Sequence, residues 1–219
     1  MGWTEQVDGY CERLGPEFWA EPVNAVTNLA FVAVAVLMWS RSRDVAGARV
    51  LSAILFMIGV GSGLFHTFAT RWAGMADVLP IALFILTYLY LVNFRMLRLS
   101  WWLAVPATAL FFPFAGLVTV AVSRVPFLEV SGPYWSVPAL LVIYAVALGS
   151  SLGRATVRGF LAGAGILTLS LVFRSLDQSL CEGWPLGTHF AWHLLNAVML
   201  GTMIGVYRRH VLAAKGRQG

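Results

Sequence analysis

The stretch GTHFAWHLLNAVML, residues 187–200, opens the last long apolar run of the chain and sets His189 and His193 four residues apart at its start. An α-helix brings positions i and i+4 onto one face, and a run of about 20 apolar residues is what a bilayer crossing requires. The run therefore reads as a membrane helix. It also carries two imidazoles on one side, and such groups are costly in hydrocarbon without partners.

Comparable runs over 22–40, 49–69, 76–94, 101–122, 134–152 and 158–174 precede it, and the last extends over 188–207. The 219 residues are 59% hydrophobic and 11% charged, whereas a soluble domain carries about 25% charged residues. Seven crossings of ~20 residues leave only short loops. The expected fold class is all-α: a polytopic membrane protein with seven transmembrane helices. Residues 1–219 read as a single domain, with a short acidic segment over 1–21 and a basic tail over 208–219.

Charge sets the orientation. Arg41, Arg43, Arg49, Arg95, Arg98, Arg154, Arg158, Arg208, Arg209, Lys215 and Arg217 fall in one set of alternate loops, and Arg13, Arg71, Arg124 and Arg174 in the other. The positive-inside bias puts the C-terminus in the cytoplasm and the N-terminus outside, in agreement with an odd number of crossings. The net charge of +5 then reflects topology. No basic cluster is interleaved with aromatics on a solvated element, so no nucleic-acid partner is expected, and no obligatory protein partner is evident. The N-terminus lacks a basic region followed by an apolar core, so it is not a cleaved signal peptide. The strong preference for Arg over Lys points to a GC-rich bacterial genome, and hence to an inner membrane with the outer face periplasmic.

Cys11 and Cys181 are the only cysteines. Both fall on the expected outer side, where an oxidising compartment permits a disulfide. Such a bridge would tie the N-terminal segment to the loop before the last helix; two free thiols are the alternative.

The ionisable and strongly polar residues within apolar runs carry the functional signal. Glu21, Asn24 and Asn28 share one face of the first helix, and Ser62 and His66 share one face near the end of the second. Asp77 opens the third, and His189 and His193 open the seventh. With alternating directions, His66, Asp77, His189 and His193 lie at one depth in the outer leaflet. They converge if their three helices are neighbours. Three neutral imidazoles with one open position make a catalytic zinc site, in which a bound water becomes acidic enough to supply hydroxide near neutral pH. Asp77 is then the general base or orienter of that water, and Ser62 is placed to donate a hydrogen bond to a developing oxyanion. His210, in the basic tail, is left without a role.

GSGLFHTFAT, ADVLPI and HFAWH together resemble the alkaline ceramidases, part of a wider superfamily of seven-helix hydrolases that includes the adiponectin and progestin receptors. The resemblance implies that His66, His189 and His193 bind zinc, that Ser62 and Asp77 complete the site, and that the reaction is hydrolysis of the ceramide amide to a sphingoid base and a fatty acid. It also implies a cysteine pair at Cys11 and Cys181. The stretch DGYCERLGPEFWAEPVNAVTN is similar to that family's calcium-binding segment, with Asp8, Glu12 and Glu21 standing for the acids, an oxygen set suited to Ca2+. Gly9 and Tyr10 add a residue to the pattern, and Leu14 stands where an Asn ligand is expected. A solvated acidic segment is the equal alternative.

A site inside the bundle suits a lipid substrate arriving laterally from the bilayer, with its polar amide at headgroup level. The competing function is a receptor or lipid-binding membrane protein with a structural zinc; the short segment before the first helix tilts the balance to the enzyme. A channel or transporter would place ionisable groups at the midplane, and here they cluster near one face.

Overall fold

A computed structural model describes residues 2–7 and 9–216. Its elements are α1 (Pro22–Thr27), α2 (Leu29–Arg41), α3 (Ala46–Phe68), α4 (Arg71–Leu91), α5 (Trp101–Ala109), α6 (Phe111–Val122), α7 (Pro126–Glu129), α8 (Ser136–Ala147), α9 (Gly149–Leu152), α10 (Arg154–Leu180) and α11 (His189–Lys215). A π-turn over Val92–Met96 extends α4, and a 3-10 turn over Gly132–Trp135 precedes α8. Among the described residues no strand forms, only an isolated antiparallel bridge between Gln6 and Thr70.

Among the described residues, six helical stretches are long and apolar enough to cross a membrane: Pro22–Arg41, Ala46–Phe68, Arg71–Met96, Trp101–Val122, Arg154–Leu180 and His189–Lys215. The run expected over 134–152 is instead a shorter apolar helix, Gly132–Ala147, followed by the separate turn α9. The break falls at Leu148, whose backbone leaves the helical region (φ −116°, ψ 11°). Helices α4 and α10 outrun their expected bounds because their first and last turns carry polar residues that an apolar pattern does not count. The wide outward exposure of large apolar side chains, such as Leu117 at 72% and Val146 at 78%, would be a liability in water. In lipid it is the natural outer surface, since every backbone polar group of a crossing helix is satisfied internally.

Helix α3 is the centre of the bundle, packed against α2, α4 and α11, and α11 in turn packs on α10 and α2. Small residues allow these approaches. Along α10, Gly159 and Gly163 face Val206 and Met203 of α11. Where α3 passes α4, a Cβ on Gly61 would strike the Ala76 carbonyl oxygen, a backbone group that cannot step aside.

The N-terminal segment is strapped across one end of this bundle. Val7 donates to the Ala69 carbonyl (2.7 Å), and Arg71 and Trp72 donate to the carbonyls of Glu5 and Trp3 (3.1 Å each). The strap is then fastened by the disulfide between Cys11 and Cys181, with Cα atoms 5.2 Å apart at a sequence separation of 170.

Two outcomes follow from this packing. Gly61→Ala should lower stability by about 1–3 kcal/mol, as overpacking does, measured as a fall in the thermal midpoint in detergent. Cys181→Ser should cost about 2–5 kcal/mol, the usual loss for a native bridge, and reductant should lower the wild-type midpoint but leave that of the variant unchanged.

Candidate metal centre

The turn from α3 to α4 is only two residues long. Ala69 adopts the left-handed region (φ 44°) and donates its N–H to the Phe65 carbonyl, and extended Thr70 leads directly into α4. His66, in the last turn of α3, is thereby folded back beside Asp77, in the second turn of α4. Helix α11, packed on α3, begins at His189 and brings His193 one turn below it. The three helices are neighbours, as convergence requires.

One ring nitrogen from each of His66, His189 and His193 lies within 4.8 Å of the other two, and all three residues are buried. Nε2 of His66, Nε2 of His193 and Nδ1 of His189 have no hydrogen-bond partner. Leaving three buried polar nitrogens unpaired would cost about 1–3 kcal/mol each. A shared metal ion is the group that satisfies all three at once, so these residues fit a metal with nitrogen ligands.

Their other nitrogens and faces are held by the protein. His66 Nδ1 lies 2.6 Å from Glu21 Oε2, so it donates to the carboxylate and leaves Nε2 with its lone pair. His193 Nδ1 lies 2.9 Å from Thr27 Oγ1. The Thr27 hydroxyl spends its own proton on a backbone carbonyl, Val23 at 2.8 Å or Asn24 at 3.0 Å. Its oxygen therefore accepts from Nδ1–H, and Nε2 of His193 is again free to ligate. Partners of this kind fix the tautomer and ring orientation of a ligating histidine. The His189 ring is instead clamped between aromatic faces, Tyr10 at 3.8 Å and Trp192 at 5.1 Å.

Burial alone would raise the Glu21 carboxyl, but its hydrogen bonds and charge interactions with His66 and Arg13 outweigh this and hold it below the ordinary carboxylate range. Burial pushes the Tyr10 phenol above its ordinary value, so the hydroxyl remains a donor at neutral pH. Ser62 faces Asp77 across the α3–α4 contact, yet the serine Oγ and the Asp77 Oδ1 both lack a settled partner. Among the described residues, the serine hydroxyl and one Asp77 oxygen thus stand unsatisfied beside three free imidazole nitrogens.

Asp177, on α10, organises the far side. It accepts from the backbone N–H groups of Cys11 (3.0 Å), Thr188 (2.7 Å) and His189 (2.9 Å). One carboxylate thus caps the start of α11 and anchors the strap. Gly187 makes room for it: its φ is +65°, and a Cβ there would run into Asp177 and Cys11.

Of the expected site residues, the structure brings His66, His189, His193, Ser62 and Asp77 together and joins Cys11 to Cys181. Asp8 lies outside the described residues. Glu12 is turned to another task, with both carboxylate oxygens accepting the N–H groups of Val23 and Asn24 at 2.7 and 2.8 Å and capping α1. Asn24 and Asn28 are buried along α1, where Asn24 donates to Glu21 and Asn28 to the Asn24 carbonyl. His210 sits at the opposite end, 2.9 Å from Thr156. Sequence reasoning missed Tyr10, Thr27 and Asp177, and gave Arg13 no role beyond charge. Asp177 carried one usable signal, an acid one helical turn before Cys181.

A family model described as Ceramidase matches residues 9–218. With nearly the whole chain covered, the protein belongs to the ceramidase family, which implies a hydrolase acting on the amide of a lipid. Comparison with curated proteins returned no match.

Asp177→Ala should remove the acceptor for three backbone donors and cost at least about 1–3 kcal/mol. Its thermal midpoint should fall well below that of wild type, with the disulfide still formed by thiol titration.

Proposed function

We propose that the protein is a zinc-dependent intramembrane hydrolase that cleaves ceramide, or a close lipid amide, to a sphingoid base and a fatty acid. The observation that carries this reading is the meeting of three unpartnered, buried imidazole nitrogens with the Ser62 hydroxyl and the Asp77 carboxyl, whose Oδ1 also lacks a partner. A structural zinc in a receptor would leave Ser62 and Asp77 without a purpose, and their position beside the triad favours the enzyme.

His66, His189 and His193 are the residues that would hold the zinc, which when bound supplies Lewis acidity and brings the pKa of a coordinated water towards ~7. Asp77 takes the proton of the attacking water as its oxygen adds to the amide carbonyl carbon. The same carboxyl passes that proton to the nitrogen as the C–N bond breaks, so the acid and the amine leave in balance. Ser62 donates to the carbonyl oxygen while negative charge gathers there. Glu21 and Thr27 keep the imidazoles of His66 and His193 in the required tautomers.

Substrate class is supported by the surroundings. An apolar cavity lined by Phe31, Ile58, Phe84, Tyr88, Trp192 and Met203 lies beneath the triad. Phe31 and Trp192 also touch His193, at ring distances of 6.0 and 5.3 Å, so the cavity and the triad share a wall. An acyl chain in the cavity would carry its amide to the histidines. The orientation we propose has seven crossings, with Gly132–Ala147 and α9 together forming the fifth, the N-terminus outside and the C-terminus in the cytoplasm. In a bacterial inner membrane the triad then lies near the periplasmic face, and Cys11 and Cys181 share the oxidising side.

The test is metal content and turnover in the detergent-purified protein. Wild type should hold about one zinc per chain, the number a three-histidine site accepts, and release fatty acid from ceramide. His193→Ala should lose metal and activity together while keeping its helical content. Asp77→Asn should keep its zinc and lose about 10²–10⁴-fold in turnover, the scale of a lost general base. A His193→Ala variant with full turnover would overturn the mechanism.

A further inference from the structure

The segment that resembles a calcium-binding stretch already contains a cation. Arg13 is buried, its side chain 3% exposed, and Glu21 beside it 2%. The guanidinium sits in a cradle of oxygens: Nε donates to Glu21 Oε1, one terminal nitrogen to the carbonyls of Gly15 (3.0 Å) and Glu17 (3.5 Å), and the other to the His66 carbonyl (3.2 Å). One carboxylate and three carbonyls are the ligand chemistry that calcium takes.

Neither Glu12 nor Glu21 has an oxygen free to add calcium to this arrangement. Glu12 has both oxygens committed to the backbone of α1. Glu21 has both committed as well, Oε1 to Arg13 and Oε2 to His66 and Asn24. Calcium needs six to eight oxygens, and a divalent ion would have to share the cradle with a guanidinium at contact distance. The described residues do not fit the ion.

We propose that Arg13 is a built-in substitute for that ion: a positioning residue whose guanidinium fills the cradle, holds the Glu21 carboxylate in place against His66, and joins the N-terminal segment to the end of α3 without any calcium. Arg13 touches both sides of the Glu21–His66 pair, the carboxylate directly and the histidine through its own carbonyl. The charge that orients His66 Nδ1 is thus supplied from within the chain. The effect on His66 rests on the metal-centre reading above; calcium independence does not.

The experiment measures two quantities in detergent for wild type, Arg13→Ala and Arg13→Lys: zinc affinity by competition with a chromophoric chelator, and the thermal midpoint with and without millimolar calcium. Wild type should show no calcium shift. Arg13→Ala should bind zinc about 10–100-fold more weakly, the usual effect of losing support behind a ligand. It should also gain a calcium-dependent rise in midpoint, because its cradle is vacated with the oxygens in place. Arg13→Lys retains the charge without the fork and should recover part of the zinc affinity with no calcium response; it carries the test if Arg13→Ala does not fold. A wild-type midpoint that rises with calcium would overturn the proposal, as would wild-type zinc affinity in Arg13→Ala. A wild type that binds no zinc and ignores calcium refutes the metal centre alone and leaves the substituted cradle standing.

Discussion

A carboxylate placed out of water is tolerable only if cations and donors surround it, and Glu21 meets that condition from three sides. Arg13 supplies the charge, His66 and Asn24 supply further donors, and the residue itself sits at the N-terminal boundary of α1. Removing one partner of such a buried set strands the others, which is far more costly than never having built it. That asymmetry locks the N-terminal segment, α1 and α3 into one register. The orientation of His66 is a by-product of the same lock, so the chemistry of the triad and the stability of this end of the bundle draw on a single cluster.

The opposite side of the triad is built on the same logic with different parts. There the anion is Asp177 and the donors are backbone amides from the strap and from the first turn of α11. Two carboxylates, one on each flank, therefore bracket the three histidines, and neither faces the three unpartnered ring nitrogens. Between them Tyr10 lies flat on His189, held there because its neighbour Cys11 is bonded to Cys181. Helices position the histidines, and the irregular N-terminal segment closes the space above them.

Much of this was legible in the chain itself because lipid imposes strong rules. Apolar runs of bilayer length marked the crossings, and the placing of His66, Asp77, His189 and His193 near one set of ends followed from alternating direction. The limits were of two kinds. Helix ends were misjudged where polar turns extend beyond the apolar stripe, as at Arg71 and Leu180, and the fifth run broke at Leu148 for a backbone reason that no hydropathy pattern records. Within the site, residues whose value lies in a long-range partner were silent. Thr27 reads as an ordinary helix residue until His193 is seen beside it, and Arg13 reads as a stray outer charge until the Gly15, Glu17 and His66 carbonyls are seen around it. Glu12 and Glu21 illustrate the reverse: two acids in a metal-like spacing are spent on a helix cap and an ion pair.

The separation of Cys11 from Cys181 also dictates the order in which the molecule can be finished. Cys11 is made 170 positions ahead of its partner, which does not exist until α10 has been made, and the Asp177 clasp needs Thr188 and His189 as well. Two of the three histidines arrive later still, with α11. Until then the chain carries His66 and Tyr10 unassembled, with nothing over the space where the triad will form. Closure of the strap therefore waits on α10 and on the first turn of α11, however early the strap itself is made.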